Sequence, residues 1–194
     1  MIAFDTGPGN MLMDGIMRHY SKGKKLYDKN GAAASKGKVD EKLFKKLMSD
    51  EYYNYRPPKS TGADKFGIKA VSDLYKLIQS KKITFEDMMR TLLKLTVETM
   101  AAAYEKFIFP RYRVGKIVLS GGGTKNSYLV NELMKRLPGY EILISDEVGI
   151  PADAKEAIGM AVLANELISG NKTGLPSCTG AKRNVPLGKV SYNF

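Results

Sequence analysis

Lys116-Ile117-Val118-Leu119-Ser120-Gly121-Gly122-Gly123-Thr124-Lys125-Asn126 is the stretch that decides the fold class. A short β-branched run breaks into a glycine turn. Asn126 then opens a helix carrying Leu129, Leu133 and Leu137, and Pro138-Gly139 stops it. Glu141, Ile142, Leu143 and Ile144 form a second short strand, and a last long helix runs from near Asp153 to Gly170. Strand and helix in alternation predict parallel βαβ units in a layered α/β fold, a mixed or parallel sheet with packed helices.

Upstream the period is helical. Residues 1–4 are apolar and run into Asp5-Thr6-Gly7-Pro8-Gly9-Asn10, which reads as strand, tight turn and helix. Asn10 is placed to cap that helix, whose apolar positions are Met11, Leu12, Ile16 and Met17. A second helix is expected over residues 40–48, with Val39, Leu43, Phe44 and Leu47 on one face. Arg56-Pro57-Pro58-Lys59-Ser60-Thr61-Gly62 is excluded from a helix interior, because proline lacks the amide donor and restricts its predecessor. Residues 68–78 form an amphipathic helix. Thr84 with Asp87 reads as an acidic capping box opening a long helix that reaches about Phe107.

Composition narrows the function. The chain has 194 residues, 43% of them hydrophobic, and no linker divides it, so one compact domain over residues 1–194 is expected. The net charge of +11 suits nucleic acid, an anionic substrate or a soluble surface. The lysines are scattered, however, and no aromatic–basic interleaving asks for nucleic acid. With one cysteine, Cys178, and one histidine, His19, there is no internal disulfide, no Cys/His metal site and no His-based triad. The most apolar stretch, residues 92–104, carries Lys94 and Glu98 and does not span a membrane. No charged leader precedes an apolar run, and a cytoplasmic protein is the expectation.

Two places carry chemistry: the turns at residues 5–10 and 120–126. Glycine lets backbone approach a phosphate closely, and a helix start offers unpaired amides. The Walker-type loop fails because no glycine directly precedes Lys125, and the dinucleotide pattern fails because Asn126 stands where its third glycine belongs. Lys125 therefore reads as a solvated side chain. Asp5, at the carboxyl end of an expected strand, either faces a ligand or caps its own turn. Asp153 with Glu156 has the spacing of a capping box, and His19 reads as a helix-end residue without a partner.

Several segments together resemble one family, the anhydro-N-acetylmuramic acid kinases. They are Phe4-Asp5-Thr6-Gly7-Pro8-Gly9-Asn10 with Met11, Leu12 and Asp14; Pro57-Pro58-Lys59-Ser60-Thr61-Gly62; Ser120-Gly121-Gly122-Gly123 followed by Asn126; residues 149–157; and Thr179-Gly180-Ala181 with Leu187-Gly188. They stand in the family's order and span nearly the whole chain.

The resemblance implies a lobe of the actin-like ATPase (ribonuclease H-like) fold, in which two lobes close on ATP. It also implies that water opens the 1,6-anhydro bond of an anhydro-amino-sugar while the freed 6-oxygen takes the γ-phosphate. Asp5 matches the family's general base. Thr6, Gly7, Gly9 and Asn10 match its phosphate-side turn, and Gly121, Gly122, Gly123 and Asn126 its adenosine side. ATP and Mg2+ are the implied cofactors. Family members are longer and begin with a Ser/Gly/Thr-rich phosphate hairpin, which no segment here resembles. An absent amino-terminal lobe is therefore expected, leaving an apolar face near residues 1–17 for a partner lobe or a second copy. A nucleotide- or partner-binding module without turnover is the alternative.

Overall fold

Thr84 starts the helix around which the chain packs: its hydroxyl accepts the Asp87 amide at 3.1 Å. The computed structural model, which describes residues 1–191, places α5 over Phe85–Ala103. Twelve of its nineteen residues are buried, among them Met88, Met89, Leu92, Leu93 and Leu95. Asp87 does not reach back to close a capping box. Its carboxylate accepts the Lys38 amide at 2.6 Å, tying the preceding loop to the helix. Past Ala103 the helix widens into a π-turn over Tyr104–Ile108, which buries Phe107.

Four shorter helices surround α5. α1 (Met11–Tyr20) buries Leu12, Met13, Ile16 and Met17, and α2 (Glu41–Met48) is capped by Asp40, which accepts the Leu43 amide at 2.8 Å. After the irregular proline segment come α3 (Ala63–Phe66) and α4 (Ile68–Gln79). Gly15 is where α1 and α4 cross: a β-carbon there would lie 2.4 Å from Val71 Cγ2.

β1 (Lys116–Leu119) and β2 (Glu141–Ile144) pair in parallel, with Ile117 opposite Ile142, and α6 (Ser127–Arg136) connects them. Ile117, Leu129, Leu133 and Ile142 join the α5 core. α7 (Lys155–Ile168) and the short α8 (Pro176–Thr179) follow. The molecule is thus α/β, with helices dominant and a small parallel sheet.

Further expectations fail. Residues 1–4 are not a strand: a strand persists only when a neighbour completes its hydrogen-bond ladder, and here Asp5 N–H donates to the Lys59 carbonyl at 3.2 Å instead. Asn10 does not cap α1 through its side chain. Asp153 and Glu156 form no capping box. α7 begins after Ala154, and Asp153 pairs with Lys125 at 2.8 Å.

The apolar face expected at residues 1–17, finally, is mostly taken into the core, since α1 buries Leu12, Met13, Ile16 and Met17, though Met1 and Met11 stay exposed. A larger exposed apolar face is α7, where no residue is buried and Ile158, Met160, Val162 and Ile168 stand exposed. His19, expected to lack a partner, lies against Tyr75 with ring centres 5.4 Å apart.

Candidate functional site

The two glycine turns meet. Gly9, at φ +52°, lets the first turn fold back, and Gly121, at φ +86°, does the same for the second. Asn10, freed from capping, turns its side chain against Gly123. Asn126 caps α6, accepting the Leu129 amide at 3.1 Å.

Two clefts flank this junction. One, of about 210 Å³, is lined by Asn10, Met13, Asp14, Tyr27, Gly122 and Asn126, with Asp28 and Lys125. The other, of about 230 Å³, lies between Gly9, Asn10, Leu119, Ser120, Gly123 and the α5 residues Thr96 and Met100. So Gly9, Asn10, Gly122, Gly123 and Asn126 come together. Asp5, Thr6, Gly7 and Gly121 line neither cleft.

α5 holds the first turn from beneath. Thr96 Oγ1 donates to the Gly9 carbonyl at 2.7 Å. A β-carbon on Gly7 would stand 2.9 Å from Thr99 Oγ1, so only glycine lets this turn settle onto the helix. These two threonines escaped sequence reasoning, because on an apolar helix face they read as core.

Asp5 does not cap its own turn. Its Oδ2 accepts Ser60 Oγ and the Thr61 amide, both at 2.9 Å, and its carbonyl accepts the Tyr52 hydroxyl at 2.8 Å. Burial and the Asp5 charge push the Tyr52 phenol up to about 12, so it stays a donor. Lys59 fixes this loop from below. It donates to the Tyr52 carbonyl at 3.0 Å and lies 4.5 Å from the Tyr52 ring centre and 5.2 Å from that of Phe107. Burial, and then the Lys106 charge, lower its ammonium from the ordinary lysine range.

Asp14 was legible only as part of a family segment. Half-buried in the first cleft, its carboxyl is pushed up to about 6 by desolvation, with the nearby Arg18 opposing and Asp28 adding to the rise. Lys125 is exposed, as expected, but ion-paired rather than simply solvated.

A family model described as anhydro-N-acetylmuramic acid kinase matches residues 1–193. The chain belongs to that family. Among proteins of that name, the one from Caldanaerobacter subterraneus subsp. tengcongensis is 43% identical over 191 residues, 98% of this chain and 48% of the relative. That from Bacillus thuringiensis subsp. konkukian is 40% identical over 194 residues, 99% of this chain and 50% of the relative. That from Clostridioides difficile is 38% identical over 191 residues, 98% of this chain and 49% of the relative. The chain therefore spans about half the length of the curated relatives it matches. No helix among the described residues is long and apolar enough to cross a membrane.

Proposed function

We propose that this chain is the nucleotide-holding half of an ATP-dependent anhydro-N-acetylmuramic acid kinase, with the actin-like lobe architecture of that superfamily, working in cell-wall sugar recycling in the cytoplasm. The observation that carries the reading is the meeting of two glycine turns at Asn10 and Gly123 in a chain of this family.

Thr6, Gly7, Gly9 and Asn10 take the phosphate side, and Gly121, Gly122, Gly123 and Asn126 the adenosine side. Asp5 is the general base. Oδ2 is occupied by Ser60 and Thr61, while Oδ1 accepts no bond from the described residues and is the oxygen available for a proton. Water attacks the anomeric carbon and gives its proton to Asp5. The 1,6-anhydro bond breaks, and the released 6-oxygen takes the γ-phosphoryl group. The products are N-acetylmuramic acid 6-phosphate and ADP.

No group of three or more His, Cys, Asp or Glu side chains suited to a metal stands together among the described residues. A magnesium ion would be held by the phosphates and water with at most one or two carboxylates of the chain, and would offset phosphate charge there.

A second polypeptide segment completes the cleft. Half of each relative's length lies outside the match, and α7 presents an apolar face that such a segment would cover. A second copy of the chain is the other candidate occupant.

The test is phosphoryl transfer from ATP to 1,6-anhydro-N-acetylmuramic acid, followed by phosphorus NMR. It is run with the chain alone and with a polypeptide equivalent to the amino-terminal half of a relative. Product only with both, lost in Asp5→Asn, is expected. No product from the assembled pair would leave a nucleotide-binding module without turnover.

A further inference from the structure

We propose that Asp14 is the ribose-recognising carboxylate of the first cleft and makes it prefer ribonucleotides to 2′-deoxyribonucleotides; this rests on the nucleotide reading above. α1 sets Asp14 one turn beyond Asn10, facing a cleft that Gly122 and Asn126 border from the other glycine turn.

The two aspartates in this cleft differ in what they lack. Asp28 is buried and spent: its two oxygens accept the amides of Ala33 at 2.9 Å and Ala34 at 3.0 Å. The Asp14 carboxylate accepts no hydrogen bond from the described residues. Arg18 Nε, one helical turn on, donates to the Asp14 backbone carbonyl and not to the carboxylate. A half-buried carboxylate held without donors beside an open cleft carries a desolvation cost that a donor-bearing ligand relieves.

The surrounding charge selects the kind of donor. Asp14 and Asp28 share the cleft with Lys125, which is already paired with Asp153 at 2.8 Å. Phosphate is repelled here, so the triphosphate lies across Asn10 on the side of Gly7 and Gly9. Neutral vicinal hydroxyls match the two carboxylate oxygens, the same chemistry by which an acidic side chain takes ribose in dinucleotide folds. The half-exposed Tyr27 ring edges the same cleft and offers an aromatic face to the base.

The test is calorimetric titration of the chain with ATP and with 2′-deoxy-ATP, in wild type, Asp14→Asn and Asp14→Glu. Wild type is expected to favour ATP by roughly ten-fold, the size of a hydrogen bond to a charged group. Asp14→Asn is close to isosteric and should lower that ratio to about two-fold or less. It should do so mainly by weakening ATP, leaving 2′-deoxy-ATP nearly unchanged. Equal affinity of wild type for both nucleotides, or an undiminished ratio in Asp14→Asn, overturns the assignment and leaves the kinase reading standing. Failure of wild type to bind either nucleotide overturns both.

Discussion

Asn10 and Gly123, one from each glycine turn, lie in contact: a β-carbon on Gly123 would sit 3.2 Å from Asn10 Nδ2. The contact joins a turn that α5 holds from beneath to the loop that follows β1, and both flanking clefts depend on it.

Gly123→Ala pushes Asn10 by a few tenths of an ångström, because ordinary contacts are wider than this one. Nucleotide affinity is expected to fall roughly five-fold, about 1 kcal/mol, with little loss of stability. Gly115→Ala, where a β-carbon meets nothing within 4 Å and which lines neither cleft, is the control and should bind nearly as wild type. Titration of both variants with ATP checks this, and equal losses would mean the Asn10 contact is immaterial.

Thr96→Val keeps the shape of the side chain but leaves the Gly9 carbonyl without its 2.7 Å donor. The expected cost is about 1–2 kcal/mol in urea unfolding, together with weaker nucleotide binding, because the first turn loses its anchor to α5. Unchanged binding in a destabilised variant would separate the anchor from the site.

Gly15→Ala tests the helix crossing. The added methyl would meet Val71 Cγ2 at 2.4 Å, and the short branched valine has nowhere to swing. A loss of about 1–3 kcal/mol is expected, read as a lower urea midpoint at unchanged slope.

Asp14→Asn should stabilise the fold above about pH 7. The Asp14 carboxyl titrates near 6 when folded, against an ordinary 3.8. Its contribution to stability is therefore present in full below the ordinary value and lost as pH rises through about 6, where burial penalises the charge. The uncharged asparagine escapes that loss. Thermal melts of the two proteins should match near about pH 4, separate progressively up to about pH 6, and keep a constant gap above that. A constant difference from about pH 4 to about pH 6 would mean that Asp14 does not titrate as described. A stabilising change that costs ribose discrimination is the trade expected of a residue kept for function.

Much of the architecture was legible because its signals are local. The strands at Lys116–Leu119 and Glu141–Ile144 have the bounds read from their short apolar runs, since a glycine turn and a Pro-Gly stop bracket α6 between them. Asp40, Thr84 and Asn126 begin helices because a short oxygen-bearing side chain reaches an amide three residues on, whatever surrounds it. The glycine turns were legible as turns for the same short-range reason.

Tertiary structure alone decided the rest. Ser60 and Asp5, hydrogen-bonded though 55 residues apart, reflect packing that no local period encodes. Residues 1–4 have the composition of a strand, but strand pairing needs a neighbour, and the Lys59 carbonyl is what Asp5 meets. Asn10 could have capped α1 and instead turned to Gly123, a choice made only when the two turns approached. Asp14 became distinctive because folding gave Asp28 the Ala33 and Ala34 amides and left Asp14 none. The amino-acid sequence thus set where elements start, stop and turn, through interactions spanning a few residues. Which polar groups are satisfied and which remain open for a ligand was settled by contacts between distant segments, where burial sets the cost of every unmet bond.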